Sequence, residues 1–401
     1  MNKRSLIAGL LTAILVMGAT PAAQAEGGHT DLYGFVMMDA GYKMDAVDPD
    51  WFDVMRVTKL AAFSNQFGTD GSTFFSVRQT RFGVKTYQPT EMGELKTTFE
   101  FELFGVGADA GQTTIRLRHA YGELGKWGAG QTWSPFMDID VFPNSVEYWG
   151  PPGMAFFRNV QLRYMPIQGD TRMTIALERP GASADGGIYA DRIELADVAA
   201  RFPVPDLSAE YRMGRPWGYV EAAGIVRYIE WSDLGTDAFD LSGNAIGWGV
   251  NLSSNLKPSK TDVLRLSFLY GEGIENYMND ATVDVGVEPN SGDPVRPVKG
   301  KVLPVMGIVA FLDHTWNSKF TSAIGYSQVS MDNTSLASPS AFKLGQYGLA
   351  NLLCTPVPNV TIGGELQYGR RENDSDGWDT DNIGVQFSFK YNFSNSFGGS
   401  Q

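Results

Sequence analysis

From residue 32 onward, hydrophobic and polar side chains alternate with period two, in runs of about ten residues. The last run is the clearest: Val385, Phe387, Phe389, Tyr391 and Phe393 share one face, and Gln386, Ser388, Lys390 and Asn392 share the other. Residues 94–106 repeat the pattern, with Leu95, Phe99, Phe101 and Leu103 opposite Lys96, Thr98, Glu100 and Glu102. Strands of a soluble sandwich alternate too, but usually over about five or six residues. A tilted strand that crosses a bilayer needs about ten, and aromatics gathered at its ends suit the membrane interface.

Read this way, strands are predicted near 32–42, 74–86, 94–106, 114–123, 126–132, 160–166, 170–178, 206–212, 217–231, 243–256, 262–272, 303–315, 319–330, 341–354, 359–370 and 380–393. Residues 192–201 alternate well enough to be a seventeenth candidate. Single-chain bacterial barrels have an even number of strands, short periplasmic turns and longer outer loops. Counted back from the C-terminus, the short links 355–358, 316–318 and 257–261 are periplasmic turns. Counted forward, the long links 43–73 and 133–159 face outward. The two counts agree only if 192–201 is no strand. Residues 191–201 are therefore assigned to an outer loop as a short helix, with Ile193, Ala196 and Ala200 on one side. The expected fold is an all-β, transmembrane, antiparallel up-and-down barrel of sixteen strands.

The first residues bear on the compartment. Lys3 and Arg4 precede an apolar stretch, and Ala23-Gln24-Ala25 gives a small–any–small cleavage pattern. Residues 1–25 are read as a cleaved signal peptide and 26–401 as one outer-membrane domain. The alternative for the leader is an uncleaved anchor. Composition agrees with a barrel: aromatics reach 12% and there are 46 glycines. Without Lys3 and Arg4, 32 basic residues become 30 against 45 acidic ones, a formal net charge of −15. That balance disfavours nucleic acid as a partner. Cys354 is the only cysteine, so no internal disulfide is possible.

Alternation also decides which charges turn inward. Ile115 and Leu117 point to lipid, so Arg116 and Arg118 point to the lumen. Gln79, Arg81 and Lys85 oppose Phe82 and Val84; Gln161 and Arg163 alternate with Leu162; Arg172 alternates with Met173. Neighbouring strands thus offer a basic stripe up one wall, and arginine forks stay charged while donating to carboxylate or phosphate. An alternative is that these arginines only balance Glu100 and Glu102, and both roles can coexist. The link 133–159 carries Trp133, Phe136, Phe142, Trp149, Phe156 and Phe157, too many large apolar groups for a solvated loop. It is expected to fold inward as a constriction loop, with Asp138, Asp140 and Glu147 facing the arginines across the pore. Packing outward on a neighbouring subunit is the alternative. Acidic residues at 45–50 and 374–381 are read as solvated outer loops near lipopolysaccharide and outer-membrane lipid, and neither a metal nor a cofactor is expected.

The run RLRHAYGELGKWGAGQTWSPFMDIDVFPNSVEYWGPPGMAFFRNVQLRY (116–164) resembles the corresponding stretch of DcaP-like outer-membrane porins, more weakly joined by PDLSAEYRM and AGIVR downstream. The resemblance implies a homotrimer of sixteen-stranded channels that passes small anionic solutes, carboxylates and dicarboxylates among them. It also carries pore roles onto Arg116, Arg118, Gln131, Arg158 and Arg163, with Asp138 and Asp140 in the loop. Some relatives place a helical segment before the barrel; here Leu32 follows the cleavage site almost directly. A general porin of little or cation-leaning selectivity is the runner-up. An enzyme is disfavoured because only three histidines exist: His29 in the lead, His314 at a strand end, and His119, which alternation turns outward.

Overall fold

The computed structural model describes residues 27–398, so the leader assigned to 1–25 lies outside the described residues. The strands are β1 (His29–Lys43), β2 in two pieces (Ser72–Ser76 and Arg81–Thr90), β3 (Gly93–Phe104), β4 (Thr113–Leu124), β5 (Trp127–Trp133), β6 (Arg158–Ile167), β7 (Arg172–Glu178) and β8 (Asp206–Arg215). The second half comprises β9 (Gly218–Asp233), β10 (Gly243–Leu256), β11 (Asp262–Glu272), β12 (Pro304–Thr315), β13 (Phe320–Met331), β14 (Phe342–Cys354), β15 (Val360–Asn373) and β16 (Asp379–Gly398). Each pairs antiparallel with its sequence neighbours, and β1 pairs with β16 from His29↔Gly398 to Lys43↔Gly384. The sheet is closed, and closure removes the unpaired edges a membrane would penalise.

Parity of the connections gave the right count. Residues 191–201 do lie outside the barrel wall, but as more than a helix. A single turn, Ile193–Ala196, is followed by a short strand, Val198–Arg201, that pairs with the outer end of β9. The alternation read there belongs to this strand, which extends the rim without crossing the membrane. The long link after β11 adds a hairpin of its own, Val285–Pro289 against Val298–Val302.

Faces follow the alternation. On β16, Phe387 is 63% exposed to the lipid side while Gln386 and Ser388 are buried inside. The inner face of β9–β14 departs from a polar lumen: Ala223, Ile225, Leu269, Val305, Val309, Phe311, Val329, Tyr347 and Leu349 are all buried there. The cover is the link between β5 and β6, with Phe136, Met137, Val141, Met154 and Ala155 packed into that cluster. Burying one such side chain contributes about 1.5–3 kcal/mol, enough that the segment cannot stay in water. Inward folding is therefore what the structure shows.

Candidate functional site: the pore wall and its constriction loop

The loop runs round the inner wall and is fastened at intervals. Asn251 Nδ2 donates to the carbonyl of Phe136. Asp138, fully buried, accepts from Arg212 Nη2 at 2.6 Å, Tyr219 Oη at 2.6 Å and Ser253 Oγ at 2.7 Å. Asp140 accepts from Arg212 Nη1, and its backbone carbonyl accepts from Asn255 and Arg265. Asn144 donates to Thr321 on β13, and the Val146 carbonyl accepts from Gln79 on the β2 side and Gln386 on β16. Glu147 accepts backbone N–H bonds from Met55 and Gly150 and a 3.4 Å bond from Tyr347 Oη. Burial pushes the Glu147 carboxyl up from its ordinary value.

These contacts correct one expectation. Asp138 and Glu147 do not face the arginine stripe across open space, whereas Asp140, 47% exposed, lines one cavity with Arg163 and Arg172. A carboxylate taken out of water must find donors, and Arg212, Tyr219, Ser253 and the backbone of 55 and 150 supply them. The group of the loop that meets the basic wall is Tyr148. Its hydroxyl donates to Glu102 and accepts from Arg116 Nη1 at 3.3 Å, and its ring stacks on Phe104 at 3.9 Å.

The basic wall itself forms a cluster. Arg118 bridges Glu100 and Glu102 at 2.6 and 2.8 Å, Arg81 lies 3.0 Å from Glu102, and Arg116 and Arg158 each stand 3.8 Å from it. Four guanidiniums thus surround two carboxylates, a local formal excess of two positive charges. The glutamates are neutralised and positive charge is left over. Arg158 is buried over the Trp133 ring at 4.8 Å, and its Nη1 has no hydrogen-bond partner. Arg81 and Arg116 remain about a quarter exposed, at 24% and 28%.

Arg172 stands apart, paired with Glu210 on β8 and Glu221 on β9 at 3.2 and 3.1 Å. With Arg212 it meets Asp138, Asp140, Glu210 and Glu221, a local formal excess of two negative charges. Arg163 has a different surrounding: it donates to Gln161 Oε1 and to the Trp133 carbonyl, with no carboxylate in contact. It opens into a cavity of about 590 Å³ beneath the loop, which Asp140, Arg172 and Glu210 also line.

Two sequence placements fail for one physical reason. A β-bulge lets Glu100 pair with His119 and Phe101 with Leu117, so Arg118 is an extra residue and both Arg118 and His119 turn inward. His119, expected to face lipid, is buried, with Nδ1 2.9 Å from Thr132 Oγ1 and its ring edge-on to Trp133. Both the imidazole and that hydroxyl are buried, and Glu100 beside them is held by Arg118 and Tyr33. Past the bulge the faces are exchanged. Gln131, expected in the pore, shares the outward row with Trp127, Ala129 and Val160, and donates to the carbonyls of Leu117 and Arg118 at the bulge. Sequence reading also passed over Arg212, Glu221 and Tyr148. The signal for Arg212 was present, since Ser208, Glu210 and Arg212 alternate with Leu207, Ala209 and Tyr211.

Comparison with curated protein sequences gives no significant match. Among solved structures, the outer membrane channel DcaP of Acinetobacter baumannii superposes with a TM-score of 0.76 at 22% identity, over 92% of this chain and 98% of that one. An anion-selective porin from Comamonas acidovorans gives a TM-score of 0.59 at 10% identity, over 91% and 100% of the two chains. OmpT of Vibrio cholerae gives 0.56 at 11% identity, over 92% and 99%. At these identities the likeness concerns the fold, a porin barrel of the outer membrane. The model of the DcaP outer membrane protein family, by contrast, matches the sequence itself over residues 19–393, and the chain belongs to that family.

Proposed function

We propose that the protein is a passive outer-membrane channel that prefers small anions, mono- and dicarboxylates among them. The observation that carries this reading is the surplus of guanidinium around Glu100 and Glu102, with Arg81 and Arg116 still partly open to the lumen. Arginine keeps its charge at any working pH, so the surplus is permanent. Weak attraction, near the millimolar scale or about 4 kcal/mol, draws a solute in without trapping it. The match to an anion-selective porin in fold agrees with this reading. Export through the leader at 1–25 and assembly as a homotrimer belong to the same proposal; one OmpT structure of Vibrio cholerae is a trimer form.

The acidic surplus around Arg172 and Arg212 favours a second reading, a general porin of little or cation-leaning selectivity. The reversal potential of the purified protein in planar bilayers under a salt gradient decides between them. An anionic sign supports the proposal, and a cationic sign sinks it. The double variant Arg81→Ala/Arg116→Ala should move the potential toward zero.

A further inference from the structure

We propose that the cavity beneath the constriction loop holds a subsite for zwitterionic solutes, with Glu123 receiving an ammonium group and Arg163 a carboxylate. Lys96 pairs with Glu123, Glu123 with Gly128, and Gly128 with Arg163. Residues directly opposite in antiparallel strands share a face. These four therefore form one row across β3, β4, β5 and β6, and Lys96, Glu123 and Arg163 all line the cavity of about 590 Å³.

Along that row the side chains read cation, anion, nothing, cation. The gap is Gly128, and strand spacing of about 4.8 Å puts the Cα atoms of Glu123 and Arg163 roughly 10 Å apart across it. No other residue fits the gap as it stands: a Cβ at 128 would lie 1.8 Å from Tyr121 Oη and 3.1 Å from Arg163 Cγ. The Tyr121 hydroxyl sits over Gly128 in that gap, with the Arg163 guanidinium 5.1 Å from the ring centre. That hydroxyl is buried within electrostatic reach of both Glu123 and Arg163.

The charges at the two ends of the notch are available. Arg163 spends its bonds on Gln161 and the Trp133 carbonyl and touches no carboxylate. Lys96 lies 3.6 Å from Glu94, and among the described residues Glu123 has no ion pair although Lys96 stands beside it in register. A molecule with one charge satisfies one end; an extended molecule bearing both satisfies both. This ligand class goes beyond a preference for anions, and it uses residues outside the arginine cluster at Glu100 and Glu102.

Single-channel current through the full-length protein tests the subsite, with 6-aminohexanoate, hexanoate, hexylamine and glycine added to both compartments. The wild type should be half-blocked by 6-aminohexanoate at about fivefold lower concentration than by hexanoate or hexylamine, the effect of one additional exposed ion contact. Glycine, too short to bridge the notch, should lack the advantage. Glu123→Gln should raise the 6-aminohexanoate concentration to that of hexanoate, and Gly128→Ala, which displaces the Tyr121 hydroxyl and crowds Arg163, should do the same by a different route. Equal block by 6-aminohexanoate and hexanoate in the wild type overturns the proposal, as does an advantage that survives Glu123→Gln. Loss of anion preference in the reversal potential, with the 6-aminohexanoate advantage intact, would count against the channel's proposed selectivity and leave the subsite standing.

Discussion

Arg212 on β8 and Asp138 in the constriction loop form a 2.6 Å ion pair, and Tyr219 and Ser253 donate to the other carboxylate oxygen. Asp138 has no exposed side-chain surface and Arg212 keeps 7%. The pair holds the first arm of the loop to the wall that the apolar cluster also grips. Arg212 keeps Asp140 and Glu221 when Asp138 is removed, but the Tyr219 and Ser253 hydroxyls lose their acceptor, which costs about 1–3 kcal/mol. Asp138→Ala is therefore expected to lower the thermal midpoint of the barrel in detergent and to raise single-channel conductance as the arm lifts. Unchanged conductance would show that the arm is held by its apolar contacts alone.

Phe136 anchors the same arm by packing. It is fully buried, lies edge-on to Tyr277 at 6.1 Å, and touches the inner wall at Gly249. Phe136→Ala should destabilise by about 3–5 kcal/mol, the usual range for a buried phenylalanine. It removes no charge, so the sign of the reversal potential should persist. A change of sign would mean that the loop's position, more than the arginine cluster, sets selectivity.

Stability should also depend on Glu147. Burial raises its carboxyl from 4.5 to about 7. Between those values the folded protein holds a proton that the unfolded chain releases. The contribution of this group is therefore full below about 4.5 and is lost as pH rises to about 7. The melting midpoint is expected to fall across that window, and Glu147→Gln to make the fall shallower. Identical slopes for the two proteins would refute this role.

Three loops meet at one arginine. Arg56 lies between the Trp51 and Trp149 rings at 4.1 and 4.0 Å and donates twice to Asp280, which also accepts from Thr58. A guanidinium can stack on two indoles and fork onto a carboxylate; an ammonium cannot do both. Arg56→Lys should loosen the links 44–71 and 273–303, read as faster limited proteolysis within them while the barrel stays protected. Equal cleavage rates would show that the stack is dispensable.

Much of this architecture is written in period two. The strand positions, the even count and the inward fold of 133–157 all follow from alternation, connection lengths and the cluster of aromatics in one link. Those are local or additive properties, and each residue carries its own part of the signal. Alternation likewise places Arg81, Arg116, Arg118 and Arg163 on the inner wall.

What the tertiary structure alone decided is where alternation breaks and which charges meet. One extra residue at Arg118 turned His119 inward and Gln131 outward, because a bulge exchanges the faces of everything beyond it until the next irregularity. Nothing in the local pattern marks that residue. The partners of Asp138 and Glu147 were equally hidden, since Arg212, Tyr347 and the backbone of Met55 come from segments 74, 200 and 92 residues away. The sequence determined a barrel with arginines facing a loop. Closure of the sheet decided that the loop's carboxylates fasten it to the wall, leaving the surplus of positive charge to the cluster at Glu100 and Glu102.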